Sequence, residues 1–141
     1  MEVASGAVLD ASALLAYFGD EPGAGLVADA IAVGARICTV NLAEALSTLA
    51  ARGQNPATLA CELTARGLLD GAITVEPFTT ADAIEAARLR PVTRQAGLSL
   101  ADRACLALAL RLAVPVLTSD RAPATLALDL DIRPIRNELP E

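Results

Sequence analysis

Short β-branched runs alternate along this chain with longer Ala- and Leu-rich stretches of helical spacing. That alternation restricts it to an α/β fold with a mostly parallel sheet, since parallel neighbours must be joined by crossovers long enough to hold a helix. The strand-like runs are GAVLD (6–10), RICTV (36–40), AITVE (72–76), PVLT (115–118) and IRPI (132–135). Between them the spacing predicts helices over 11–18, 24–33, 42–52, 56–69, from Thr79 or Thr80 to 89, and over 100–112. Local punctuation supports these bounds. The Glu21-Pro22-Gly23 turn separates the first two helices, Gly53 stops the third, Asn55-Pro56 opens the fourth, and Arg90-Pro91 is expected to end the fifth. No internal repeat is visible, and 141 residues suit a single domain over 1–141.

Composition narrows the chemistry more than the fold. The chain holds no His, no Lys and no Trp. Histidine-based triads and general bases are therefore excluded, as are the GxxxxGK phosphate loop and lysine Schiff bases. Any hydrolysis must rest on carboxylates, hydroxyls, arginines and backbone groups, which points to hard metal ions held by Asp and Glu. A net charge of -6 does not oppose nucleic-acid binding if shared cations neutralise part of it and Arg residues form a local rim. Cys38, Cys61 and Cys105 are odd in number and lack a CxxC pair, so they are expected to be reduced, buried thiols. The longest apolar runs, such as Ala104–Leu110, fall far short of the roughly 20 residues that cross a bilayer. With no basic-then-apolar leader at the start, the expectation is a soluble, cytoplasmic protein without a membrane partner.

Four acids share one structural address, the carboxyl end of a strand-like run or the first turn of the helix after it: Asp10, Glu44, Asp102 and Asp120. Ligands of open parallel sheets bind in the crevice at that edge, so acids distant in sequence can meet there. Each acid also has a plain structural use. Asp10 can cap the helix at 11, Asn41–Glu44 and Ser99–Asp102 both fit capping boxes, and Asp120 can cap a segment starting at Arg121. What favours a site is that Asp10 and Asp120 end otherwise apolar runs, where a carboxylate is costly unless something pairs with it. Ser12 and Thr118 add hydroxyls beside them.

The segments VLDASALLAYF (8–18), NLAEAL (41–46), LSLADRACLALA (98–109) and VLTSDRA (116–122) resemble, in order, the motifs of bacterial PIN domains, most closely VapC-type toxins. The resemblance spans nearly the whole chain. It implies a three-layer α/β/α fold with a mostly parallel central sheet flanked by helices. It implies a metal-dependent endoribonuclease, the toxin of a toxin–antitoxin pair, with Asp10, Glu44, Asp102 and Asp120 as the acidic quartet and Ser12 and Thr118 as supporting polar positions. The implied cofactor is Mg²⁺ or Mn²⁺ on Asp10, Asp102 and Asp120, with Glu44 binding a second ion, binding through water, or orienting the attacking water. The implied products carry 5′-phosphate and 3′-hydroxyl ends. One departure is Ala122-Pro123-Ala124, where many relatives carry an aromatic residue.

Like charges brought together without a cation should leave at least one carboxyl with a raised pKa. Arg94, Arg103 and Arg121 are candidate contacts for RNA phosphates, with solvated or structural arginines as the alternative. Tyr17 and Phe18 are expected in the core rather than stacked on bases. The apolar composition suggests that another chain covers part of the helical surface: a homodimer partner, or the cognate antitoxin protein that the resemblance implies. Core packing is preferred for the segment 14–33 and the helix near 46–63. A haloacid-dehalogenase-like phosphatase is disfavoured because position 12 is Ser rather than a second Asp and no Lys is present. The remaining alternative is a catalytically silent PIN-like module that binds RNA or protein in the same pocket.

Overall fold

A computed structural model describes residues 5–120 and 128–136. The elements follow in the order β1 (Ala7–Leu9), α1 (Ala11–Phe18), α2 (Ala24–Ala32), β2 (Ala35–Cys38), α3 (Thr39–Ala51), α4 (Pro56–Ala65), β3 (Ile73–Glu76), α5 (Thr80–Thr93), α6 (Leu100–Leu112), β4 (Val116–Thr118) and β5 (Ile132–Pro134). All four strand pairings are parallel, and the sheet order is β3-β2-β1-β4-β5. The chain thus builds outward from β1 to one side, then returns to β1's other side. Its topological switch lies between β1 and β4, where a crevice opens at the carboxyl edge.

The period-two alternation of strand side chains sorts the core into two faces. Ala7 and Leu9 of β1 and Ala35 and Ile37 of β2 join one apolar cluster with Leu14 and Val27 of α1 and α2. Val8, Cys38 and Val116 point the other way, into a cluster with Leu89, Cys105 and Leu106 of α5 and α6. Helices therefore cover both faces, which is the three-layer α/β/α arrangement expected from the sequence. Tyr17 and Phe18 are partly buried against the first cluster, their ring centroids 5.8 Å apart. Among the described residues, no helix is long and apolar enough to cross a membrane.

The helix bounds differ from expectation by more than one residue at three places. The third helix starts at Thr39 instead of Leu42, because β2 ends its register with β3 at Cys38 and the β-branched Thr39-Val40 pair is drawn into the helix. The fourth ends at Ala65 instead of Leu69. Gly67 turns the chain with φ +80, and its carbonyl accepts from Ala72 N at 2.9 Å. The fifth runs through Pro91 to Thr93. Pro91 falls in its last turn and lies exposed, as does Ala87, so solvent can serve the one carbonyl left without a helical donor. Cys38 and Cys105 are buried as expected, but Cys61 is exposed on α4, a helix whose buried residue is Leu63.

Gly23, at φ +96, begins α2 against the residue that follows β5. A Cβ there would stand 2.7 Å from both Cγ1 and the carbonyl oxygen of Ile135. Gly23→Ala is expected to lose about 2 kcal/mol from the left-handed backbone and the overlap. Urea unfolding reads this as a lower midpoint with the slope unchanged; an unaltered midpoint would mean that Ile135 does not close on the turn.

Candidate active site

Asp10 sits at the switch point because β1 ends there and the chain turns into α1. Its backbone is extended, and its Oδ1 accepts from Ala13 N at 2.9 Å, so the expected helix cap is real. The same oxygen accepts from the Ser12 hydroxyl at 2.6 Å. Ser12 then links across to the end of β4: its Oγ lies 3.4 Å from Thr118 Oγ1 and accepts from Ser119 N at 2.9 Å, while Thr118 Oγ1 accepts from Asp120 N at 3.0 Å. Ser12 and Thr118 thus knit the edges that carry Asp10 and Asp120. At 7 % exposure, burial pushes the Asp10 carboxyl up. Bonds from Ser12, Thr118 and Ala13 pull it down and the Asp120 charge adds to the rise, leaving it raised.

Glu44 lies in the second turn of α3, exposed at the surface. The capping box expected of Asn41 and Glu44 does not form. Cys38 stands at the N-cap, Asn41 is already inside the helix, and the Glu44 carboxylate takes no part in a cap. Its pKa is raised by desolvation and then by the charges of Asp102, Asp10 and Asp120, in that order. Glu44 therefore feels all three of the other acids.

Asp102, half-buried, is the third residue of α6 and does form its capping box. Ser99 N donates to Asp102 Oδ2 at 2.8 Å, and Asp102 N donates to Ser99 Oγ at 3.1 Å. Its charge also reaches Glu44, so cap and site are compatible uses of one carboxylate. Asp120 is exposed just after β4. Its expected capping of a segment from Arg121 lies outside the described residues, as do Arg121 itself and Ala122-Pro123-Ala124.

The charges of Asp102, Asp10 and Asp120 all bear on Glu44, but the four carboxyls do not close on a point. Among the described residues, no group of three or more His, Cys, Asp or Glu side chains forms a ready ligand cluster. The donor chemistry nonetheless suits Mg²⁺ or Mn²⁺, because these sites offer carboxylate and hydroxyl oxygens rather than imidazole or thiolate. The nearby thiol of Cys105 is held neutral: burial pushes it well up, and the charges of Asp10, Cys38, Asp102 and Glu44 push the same way. A buried Asp10 beside a second negative charge is the group most in need of an adjoining cation.

Two residues near the site play parts the sequence did not suggest. Asn41, 1 % exposed, donates from Nδ2 to the Ala101 carbonyl at 2.9 Å, across 60 residues of chain. In the sequence it fitted only a helix cap ahead of the apolar stretch from Leu42. Arg103, a candidate phosphate contact, instead donates from Nη1 to the Ala86 carbonyl at 2.9 Å and buries Nε, which ties α6 to α5. That favours the structural alternative for Arg103. Arg94 is exposed at the end of α5, and Arg88 pairs with Glu85 at 3.6 Å.

A small all-parallel sheet covered by helices on both faces, with the segments bearing Asp10 and Asp120 joined through Ser12 and Thr118 at its switch point, defines the class of α/β/α domains that present carboxylates at the sheet edge. The chain belongs to the PIN domain family, whose model matches residues 7–127. No curated protein matches it. Among solved structures it is similar to FitAcB from Neisseria gonorrhoeae, at TM-score 0.69 and 18% identity, over 91% of this chain and 96% of that one. It is similar to VapC20 from Mycobacterium tuberculosis, described as a Sarcin-Ricin loop cleaving toxin, at TM-score 0.63 and 15% identity, over 85% and 95%. A third likeness is to DNA-bound VapBC from Salmonella typhimurium, at TM-score 0.67 and 13% identity, over 94% and 99%. At these identities the likeness is one of fold.

Proposed function

We propose that this chain is a Mg²⁺- or Mn²⁺-dependent endoribonuclease, acting as the toxin of a toxin–antitoxin pair, with residues 1–141 as one domain. The observation that carries the proposal is the hydrogen-bonded carboxyl edge at the switch point, where Ser12 and Thr118 join the segments that bear Asp10 and Asp120. Membership of the PIN family supports it, as do one structural neighbour described as a toxin–antitoxin complex and another described as a Sarcin-Ricin loop cleaving toxin. The partners follow from the same reading: RNA as substrate, a cognate antitoxin protein, and a second copy of the chain in a homodimer. The proposed setting is the cytoplasm.

In this reading Asp10, Asp102 and Asp120 hold the divalent ion. When bound, it would neutralise charge at the scissile phosphodiester and make water a better nucleophile at neutral pH. The protein's own groups do the rest. Ser12 and Thr118 fix the edge on which Asp10 and Asp120 stand, which would steady those carboxylates toward the ion. Glu44 is exposed enough to meet substrate and raised in pKa, which suits it to orient the attacking water and take its proton in a site with no histidine. Arg94 offers an exposed cation for a backbone phosphate.

Purified chain incubated with total RNA should cut it with Mg²⁺ or Mn²⁺ and stop in EDTA, and Asp102→Asn should not cut. Cleavage that persists in EDTA or in Asp102→Asn would overturn the mechanism. Binding of RNA with no cleavage under either metal would instead establish a silent binding module.

A further inference from the structure

We infer that Asn41 is a positioning residue for the acidic site, fixing the helix that carries Glu44 against the helix that carries Asp102. The inference rests on the metal-dependent reading of those acids. Helices α3 and α6 pack directly on each other. Asn41 lies between them in the first turn of α3, one helical turn before Glu44 and on the same side of the helix. Its Nδ2 donates to the carbonyl of Ala101, the residue immediately before Asp102. One buried amide therefore sets the spacing between two carboxylates that Coulomb repulsion would otherwise drive apart, and Asp102 is the charge that weighs most on Glu44.

The other half of the amide points to the same conclusion. Asn41 Oδ1 is buried and has no hydrogen-bond donor among the described residues. A buried acceptor left without a donor is a net loss to stability, and an aliphatic side chain of similar size would pack this helix interface without it. Stability alone thus gives no reason for an amide here. The tie to Ala101 does. Second-sphere contacts of this kind set ligand geometry, and their loss commonly weakens metal affinity or activity about 10- to 100-fold.

The test is calorimetric titration of Mn²⁺ into the full chain, wild type against Asn41→Leu, with RNA cleavage alongside. Asn41→Leu should melt no lower than wild type, bind Mn²⁺ about tenfold more weakly, and lose about tenfold in kcat with KM for RNA little changed. Asn41→Thr, which keeps a donor facing Ala101, should recover part of the Mn²⁺ affinity. Should the leucine variant not fold, Asn41→Ala carries the comparison, with the same loss of Mn²⁺ affinity expected. A folded Asn41 variant with wild-type Mn²⁺ affinity and kcat would overturn this inference and leave the proposed function standing. Absence of Mn²⁺ binding in the wild type would overturn both.

Discussion

Asp10→Asn should unfold at a higher temperature than the wild type in EDTA at neutral pH, while cutting RNA about a hundred- to a thousandfold more slowly. The two effects have one cause. The Asp10 carboxyl is raised, chiefly by burial, so in the metal-free protein its contribution to stability is complete only below the unfolded-chain carboxyl value, about pH 4. It is lost as pH rises through the folded value, because the folded chain then gives up a proton it holds more tightly than the unfolded chain does. Glu44, raised by desolvation and the same cluster of charges, adds a loss of the same sign. Asparagine cannot ionise and is as good a helix cap as aspartate, so the bond from Ala13 N survives. A higher melting temperature than wild type is expected at pH 7, and the difference should disappear below about pH 4. Asp10→Ala separates the parts, since it removes the charge but also the cap, at about 1 kcal/mol. Equal melting of wild type and Asp10→Asn in EDTA would mean that the buried charge carries no cost.

Asp82→Ala should lower stability by about 3 kcal/mol, or about 10 °C. Asp82 is buried at the start of α5, with a side chain 2% exposed, and it takes a bidentate grip from Arg111 of α6: Nε to Oδ1 at 2.8 Å and Nη2 to Oδ2 at 3.2 Å. Its carboxylate also closes the capping box with Thr79. Arg111 is partly exposed, so breaking the pair is expected to cost about 2 kcal/mol, below the fully buried range, and the cap adds about 1. Burial raises the Asp82 carboxyl, but bonds from Arg111 and Thr79 outweigh it and leave the pKa lowered. The sign is opposite to that of Asp10. Stability from Asp82 is present above the unfolded-chain value and lost as pH falls through the folded one. Urea unfolding should therefore find a large gap between wild type and Asp82→Ala at pH 7 and a much smaller one in strong acid. A gap that is the same at both would assign the loss to packing alone.

The sheet and the helix caps at Asp10 and Ser99 were legible because their signals are local. GAVLD and PVLT are short apolar runs of the kind buried in parallel strands, and each is followed or closed by an acid that an apolar strand does not need. The Ser99–Asp102 box could be read from spacing alone, and it forms as expected. What stayed hidden depends on partners far away in the chain. Thr39-Val40 has strand-like side chains, and Asn41 looks like a cap, until Ala101 arrives from 60 residues on. Arg103 looks free for a phosphate until the Ala86 carbonyl claims it. Pro91 reads as a helix stop by its own chemistry, and only its exposed place in a last turn makes it tolerable. The Asp82–Arg111 pair, 29 residues apart on two helices, leaves no pattern in either. Cys61 misleads in the opposite way, since a small apolar residue type that is commonly buried here lies on an exposed helix face.

Thermal unfolding across a Mg²⁺ titration, run on wild type and Asp10→Asn at neutral pH, asks directly whether these carboxylates meet around a divalent ion. The wild-type midpoint should climb with the logarithm of Mg²⁺ once the ion exceeds its dissociation constant, and that of Asp10→Asn should stay nearly flat. Midpoints that rise equally in both proteins, or in neither, would contradict a shared ion at Asp10.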